Sequence, residues 1–100
     1  VVADKYKGRS DIRFKENIAP IEDAAEIINR MNGVSYQMRG DKKNSFGFIA
    51  QDMKEIIPEL VEMDPNGFMT ISYIEIIPFL VENIKRLNQE INLLKEKRVI

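Results

Sequence analysis

The chain is 100 residues long, 44% hydrophobic and 31% charged, an ordinary globular balance that suits one domain. Its net charge of −1 gives no electrostatic case for a nucleic-acid groove, and no apolar run approaches the roughly 20 residues of a membrane span. With no histidine and no cysteine, the commonest general base, the commonest metal ligand, disulfides and thiolate catalysis are excluded. Chemistry is left to carboxylates, Lys, Tyr, Ser and Thr, and no metal or cofactor is implied.

Residues 1–9 have no periodicity and open without an initiator Met or a signal pattern. They read as a linker or the tail of an upstream domain, and the chain as a piece of a longer protein. From Pro20 the pattern turns helical, with Ile21, Ala24, Ala25, Ile28 and Met31 on one stripe. Pro20 suits the first helical position, and Asn32-Gly33 suits a left-handed stop. Val34, Tyr36 and Met38 then alternate with polar residues, residues 40–44 form a polar turn, and Phe46 and Phe48 resume the alternation. Residues 34–49 therefore read as a β-hairpin. A short helix is expected over Ala50–Ile57, ended by Pro58. Leu60–Met63 and Phe68–Ile71 flank Asp64-Pro65-Asn66-Gly67, whose Pro and Gly suit a type I turn and a second hairpin.

Ser72-Tyr73-Ile74-Glu75 reads as a capping box opening the last helix, with Pro78 forcing a kink or a delayed start. Ile77, Leu80, Ile84, Leu87, Ile91 and Leu94 then step alternately by three and four, a heptad with Ile at a and Leu at d. At ~1.5 Å per residue, residues 73–98 would span roughly 39 Å, more than a small domain can cover. A period of 3.5 rather than 3.6 favours a coiled coil with partner chains over a helix packed on its own domain. Ile at a with Leu at d leans toward two strands in isolated parallel coils. The expected fold class is α+β: a small globular part with short helices and two β-hairpins, then a long C-terminal coiled-coil helix over about 73–98.

Ser10-Asp11 reads first as a polar turn before an extended segment. Ser10 and Lys15 are also a possible working pair, since a lysine made neutral by desolvation or by a nearby cation takes a serine proton without histidine. Arg13 could be that cation, or could pair with a carboxylate such as Glu16. Five positions separate Ser10 from Lys15. That places them on opposite sides of a strand, or about 140° apart on a helix. They meet only if the chain bends between them, or if they come from different subunits.

Ser10-Asp11-Ile12-Arg13-Phe14-Lys15-Glu16-Asn17-Ile18 resembles the S-D-x-R-x-K-x-N-I signature of the intramolecular chaperone auto-processing domain, the peptidase S74 family. That family occurs at the C-termini of phage endosialidase tailspikes, tail fibres and neck appendages, and in myelin regulatory factor. Gly47-Phe48-Ile49-Ala50-Gln51-Asp52 resembles its G-F-I-A-Q-[DE] segment, Ile57-Pro58-Glu59-Leu60-Val61 its I-P-E-L-V, and Tyr73 through Ile84 its Y-x-x-L-I-P-L-L-V-E-A-I stretch. The resemblance implies a homotrimer that aligns three chains so that the upstream β-structured stalk can fold. It implies a processing domain over 10–100, released by autoproteolysis at Arg9–Ser10, with Ser10 as nucleophile and Lys15 as base. Asp11, Arg13 and Asn17 match the signature as supporting residues, and Gln51 is a candidate oxyanion donor. If the parent is a phage protein, the domain acts in the host cytoplasm during assembly and the parent ends in the virion. Two other readings differ in class: a non-cleaving trimerisation module kept as a fibre cap, and a hydrolase acting on other substrates. The last is disfavoured, because a domain this size with a long coiled-coil helix leaves little room for a substrate cleft.

Overall fold

The computed structural model describes residues 8–99, so the expected upstream tail over 1–9 falls mostly outside the described residues. The fold is α+β, with short helices, two small hairpins and one long C-terminal helix. A 3₁₀ turn, Ile12–Phe14, precedes helix α1, Ala24–Arg30. Strands β1 (Val34–Gln37) and β2 (Asn44–Gly47) form one antiparallel pair, and helix α2 (Ala50–Ile56) follows. Strands β3 (Val61–Met63) and β4 (Met69–Ile71) form a second pair, and the last helix is α3, Ile77–Val99.

α1 starts later than Pro20 suggests. Proline fixes only its own φ, and the chain stays non-helical until Asp23, whose carbonyl accepts the first helical bond from Ile27 at 3.1 Å. Nor does the helix end through a left-handed Asn32-Gly33. Met31 is already extended (φ −78°, ψ 140°), so the chain runs almost directly into β1 and no positive φ is needed. The expected stripe does face inward: Ala24 is buried and Ile21, Ala25, Ile28 and Met31 are half-buried.

In the first hairpin Val34 lies opposite Gly47 and Gln37 opposite Asn44. Val34, Tyr36, Ser45 and Gly47 therefore share one face, and Phe46 sits exposed on the other. β1 stops before Met38, whose carbonyl accepts from Asp41 N–H at 2.9 Å to begin the turn. Tyr73 closes over the covered face. Its hydroxyl accepts from Phe48 N–H at 3.0 Å, and its ring stacks on Phe48 with centroids 6.1 Å apart. Gly47 runs beneath that hydroxyl, where any Cβ would collide with it.

The second hairpin turns as its sequence requires. The Asp64 carboxylate accepts from Asn66 N–H and Phe68 N–H, each at 2.9 Å, and Gly67 takes a left-handed φ of +86°. This is a type I turn with a glycine in the following bulge position. Pro58 stops α2 and opens a 3₁₀ turn, Pro58–Leu60, that folds Leu60 inward. The core is Met53, Ile57, Leu60 and Ile76, with Met53 only 1% exposed. Ile27 from α1, Met31 just after it, Val61 and Ile71 from the second hairpin, and Phe79 pack around it.

The capping box at Ser72 does not form. The chain enters the last helix through a 3₁₀ turn, Tyr73–Ile76, in which the Glu75 N–H already bonds the Ser72 carbonyl at 3.2 Å. The donor that a serine hydroxyl would cap is thus taken, and Ser72 makes no side-chain cap. Pro78, second residue of α3, follows this delayed start and falls where its missing N–H is not needed. α1 packs along the first part of α3. The radius of gyration is 17.7 Å, against about 13 Å for a compact chain of this length, because α3 runs past the core. Among the described residues no helix is long and apolar enough to cross a membrane.

Gly47→Ala should cost about 1–3 kcal/mol by forcing Tyr73 away. Tyr73→Phe alone should cost about 1 kcal/mol for the lost hydrogen bond. Urea unfolding at fixed chain concentration should show Gly47→Ala costing less in the Tyr73→Phe background than in the wild type. Strictly additive losses would mean that the two residues do not meet.

Candidate processing site

The site is built by one short bend. Asp11 is extended (φ −67°, ψ 133°) and caps the 3₁₀ turn Ile12–Phe14, its carboxylate accepting from Arg13 N–H at 3.0 Å. Two backbone bonds close the turn, Phe14 N–H to Asp11 O and Lys15 N–H to Ile12 O, each 3.1 Å. The turn reverses the chain enough that Lys15 Nζ reaches Ser10 Oγ at 2.8 Å. The bend that the five-residue spacing demands is therefore present within a single chain. Arg13 takes Asp11, not Glu16, as its carboxylate: Nε donates to Oδ1 at 3.1 Å and Nη2 to Oδ2 at 2.8 Å. The sequence left Arg13 either as a cation for Lys15 or paired with a carboxylate such as Glu16; the Asp11 cap favours Asp11, because the same carboxylate already holds the Arg13 backbone.

The Arg13 guanidinium, and after it the Arg13 N–H, hold the Asp11 carboxyl below its ordinary range. A depressed carboxyl stabilises the turn above the ordinary aspartate pKa, and that contribution is lost as pH falls through the lowered value. Asn17, the next signature position, takes a left-handed φ of +55° and redirects the chain toward Ile18. Such a conformation is tolerated by asparagine better than by most residues.

The whole segment from Gly8 to Pro20 is exposed. Ile12 and Phe14 are 71% and 73% exposed, and among the described residues none covers Ser10 or Lys15. Gln51 does not join them. It stands in the first turn of α2, lining a hollow with Tyr36, Phe48 and Tyr73, and no hydrogen bond links it to Ser10. The arrangement supplies a hydroxyl nucleophile and an amine at hydrogen-bond distance, directly after the Arg9–Ser10 peptide bond. A hydroxyl both donates and accepts, so the same separation serves an ammonium donating to Oγ or a neutral amine receiving its proton.

The second candidate surface lies on α3. Ile77, Leu80, Ile84, Leu87, Ile91 and Leu94 are all exposed in the single chain, Ile84 by 55%. Glu82 with Lys85 and Arg86 with Glu90 form ion pairs at 3.3 and 3.4 Å along the same helix. An unpartnered stripe of this length is unusual for a monomer surface.

Residues 10–62 match the family described as chaperone of endosialidase, peptidase S74. The Long tail fiber protein Gp37 of Escherichia phage AR1 is 40% identical over 74 residues, covering 66% of this chain and 7% of the relative. Those of Enterobacteria phages K3 and T2 are each 34% identical over 98 residues, covering 89% of this chain. The chain spans 8% of the K3 protein and 7% of the T2 protein. Since the matched stretch, from Ser10 through Glu62, takes in more than half of the chain and includes the Ser10–Lys15 bend, the chain belongs to the chaperone-of-endosialidase (peptidase S74) family.

Proposed function

We propose that this chain is the assembly domain of a phage fibre protein: it joins three copies, aligns the upstream stalk, and then cuts itself free at Arg9–Ser10. Membership of the chaperone family and the likeness to long tail fibre proteins support a chaperone-type role in fibre assembly. The observation that carries the cleavage step is the 2.8 Å contact of Lys15 Nζ with Ser10 Oγ, one bond downstream of Arg9. The domain is residues 10–100, and residues 1–9 belong to the segment upstream of the cut.

Ser10 Oγ attacks the carbonyl carbon of Arg9, and neutral Lys15 takes the hydroxyl proton. The C–N bond breaks as the C–O bond forms, and the lysine returns its proton to the departing Ser10 amine. Water then hydrolyses the ester, leaving a carboxylate on Arg9 and a free amine on Ser10. A lysine works as a base only as the neutral amine, which burial favours and water disfavours. In one chain Lys15 is exposed. Assembly through the α3 seam supplies the missing cover, so cleavage follows trimerisation and does not precede it. Before the cut, three joined domains hold their stalks at an effective concentration of about a millimolar or more, which speeds pairing of chains with mostly non-local contacts.

Ile84→Lys places three charges together in the seam at a cost of several kcal/mol per buried ion. Sedimentation equilibrium at micromolar concentration should find the wild type trimeric and this variant monomeric. A wild-type dimer would instead follow the rule for isolated coils. Ser10→Ala and Lys15→Ala in the full-length parent should each leave Arg9–Ser10 intact while trimers still form, as read by intact mass. A wild-type parent that trimerises but keeps its full mass is a non-cleaving fibre cap. Ile84→Lys should also block cleavage, although it lies far from Ser10 in the chain. Efficient cleavage in a monomeric Ile84→Lys protein would refute assembly gating.

A further inference from the structure

The spacing of Ser10 and Lys15 permits contact within one chain only through a bend, and among the described residues little holds that bend. A 3₁₀ turn of three residues has two backbone bonds and poor hydrogen-bond geometry, and so short a helical piece is unstable alone in water. Apolar packing does not help, because Ile12 and Phe14 on the turn are exposed. Among the described residues, the contacts that remain besides the Lys15–Ser10 bond itself are those of Asp11 with Arg13. One carboxylate receives the Arg13 backbone N–H, Nε–H and Nη2–H at 3.0, 3.1 and 2.8 Å. Oδ1 thereby fixes the backbone entering the turn, while both oxygens meet the planar fork of the guanidinium. Arginine makes that two-point contact, and lysine does not.

We propose that the Asp11–Arg13 pair is a positioning clamp that holds the turn and so sets Ser10 Oγ against Lys15 Nζ. Neither residue touches the scissile bond. Both act through the turn, and the clamp serves the self-cleavage reading given above. An exposed ion pair contributes little to global stability. Its effect is on geometry, where a displacement near 1 Å costs about 10²-fold in rate. The clamp should therefore be visible in the cleavage rate and nearly invisible in assembly.

The test is a double-mutant cycle on the full-length parent chain, with Asp11→Asn, Arg13→Gln and both together. First-order cleavage of assembled trimers is followed by intact mass, and the oligomer is measured on the same samples. Each single variant should trimerise normally and cleave about 10²-fold more slowly. The double variant should be no slower than the slower single, because one contact is lost in all three. The midpoint of cleavage rate against pH should stay where it is in the wild type while the plateau falls. Arg13→Lys, which keeps the charge and gives up the fork, should be as slow as Arg13→Gln. Additive losses, a full-rate Arg13→Lys, a moved midpoint or a lost trimer would each overturn the clamp. If the wild type and both single variants cleave at one rate, the self-cleavage reading stands and the clamp falls. If the assembled wild type never cleaves, both fall together.

Discussion

The long helix is too large for the domain that carries it. Twenty-three residues of α3 extend about 34 Å, while the core beneath them is a cluster of four buried side chains around Met53. α1 covers only the first part of that length, so the stripe from Ile77 to Leu94 stays in water in a single chain. Burial of apolar surface is the main favourable term in association, at roughly 25 cal/mol per Å². An unpaired heptad stripe on a small core thus gives the single chain a strong reason to associate. The proposed trimer answers that constraint, and contacts between the globular parts would free its stoichiometry from the preference of an isolated coil.

The same economy shapes the processing segment. Residues 8–20 lie outside the core and are exposed, so their conformation is set locally, by one cap, one ion pair and one left-handed asparagine. A segment organised this way can present its bend without first packing on its own domain. It also leaves Lys15 in water until something covers it. Local order and absent cover are separate requirements of the proposed chemistry: the first is met in one chain, and the second requires a neighbour.

Much of the fold was legible, and the failures have physical causes. The second hairpin could be read because Asp64, Pro65 and Gly67 each perform the turn role their chemistry suits. α2 could be read because Pro58 ends it. The start of α1 could not, since a proline that fits the first helical position does not compel the next residues to follow. Asn32-Gly33 is a good left-handed stop, but the helix ended by becoming extended, which any residue does. Ser72 and Glu75 have the capping-box spacing, yet a 3₁₀ turn had already used the amide in question. At the site, Ser10 and Lys15 stood out only through the signature. Periodicity describes strands and helices, and neither contains the turn that joins the pair. Arg13 was open between serving as the cation beside Lys15 and pairing with a carboxylate such as Glu16, and the Asp11 partner emerges only with the turn that Asp11 caps. Gln51, matched by motif, lines a hollow with Tyr36, Phe48 and Tyr73 that does not include Ser10 in the single chain.

A site that cuts its own chain escapes two demands that other hydrolases meet. It needs no cleft, because the scissile carbonyl belongs to the residue before the nucleophile and is delivered by the covalent chain. It needs no turnover, because one event per chain completes its task. On the proposed reading a lysine and a serine on one bend, once covered, supply the nucleophile and base, and a chain without histidine or cysteine is not at a disadvantage. What such a site does need is restraint, since a cut made before the stalks align would discard the template too early. On the proposed reading that restraint needs no separate inhibitor, because Lys15 is exposed in the single chain and only assembly would cover it. Cutting afterwards cannot deepen the equilibrium stability of the stalk. On the proposed reading it removes the element that would realign unfolded stalks, so that loss of the assembled fibre would be governed by a slow unfolding rate. On the proposed reading, the exposed seam, the small core and the solvated lysine are three parts of one timing device: the shortage of cover that drives assembly also keeps the blade closed until assembly is done.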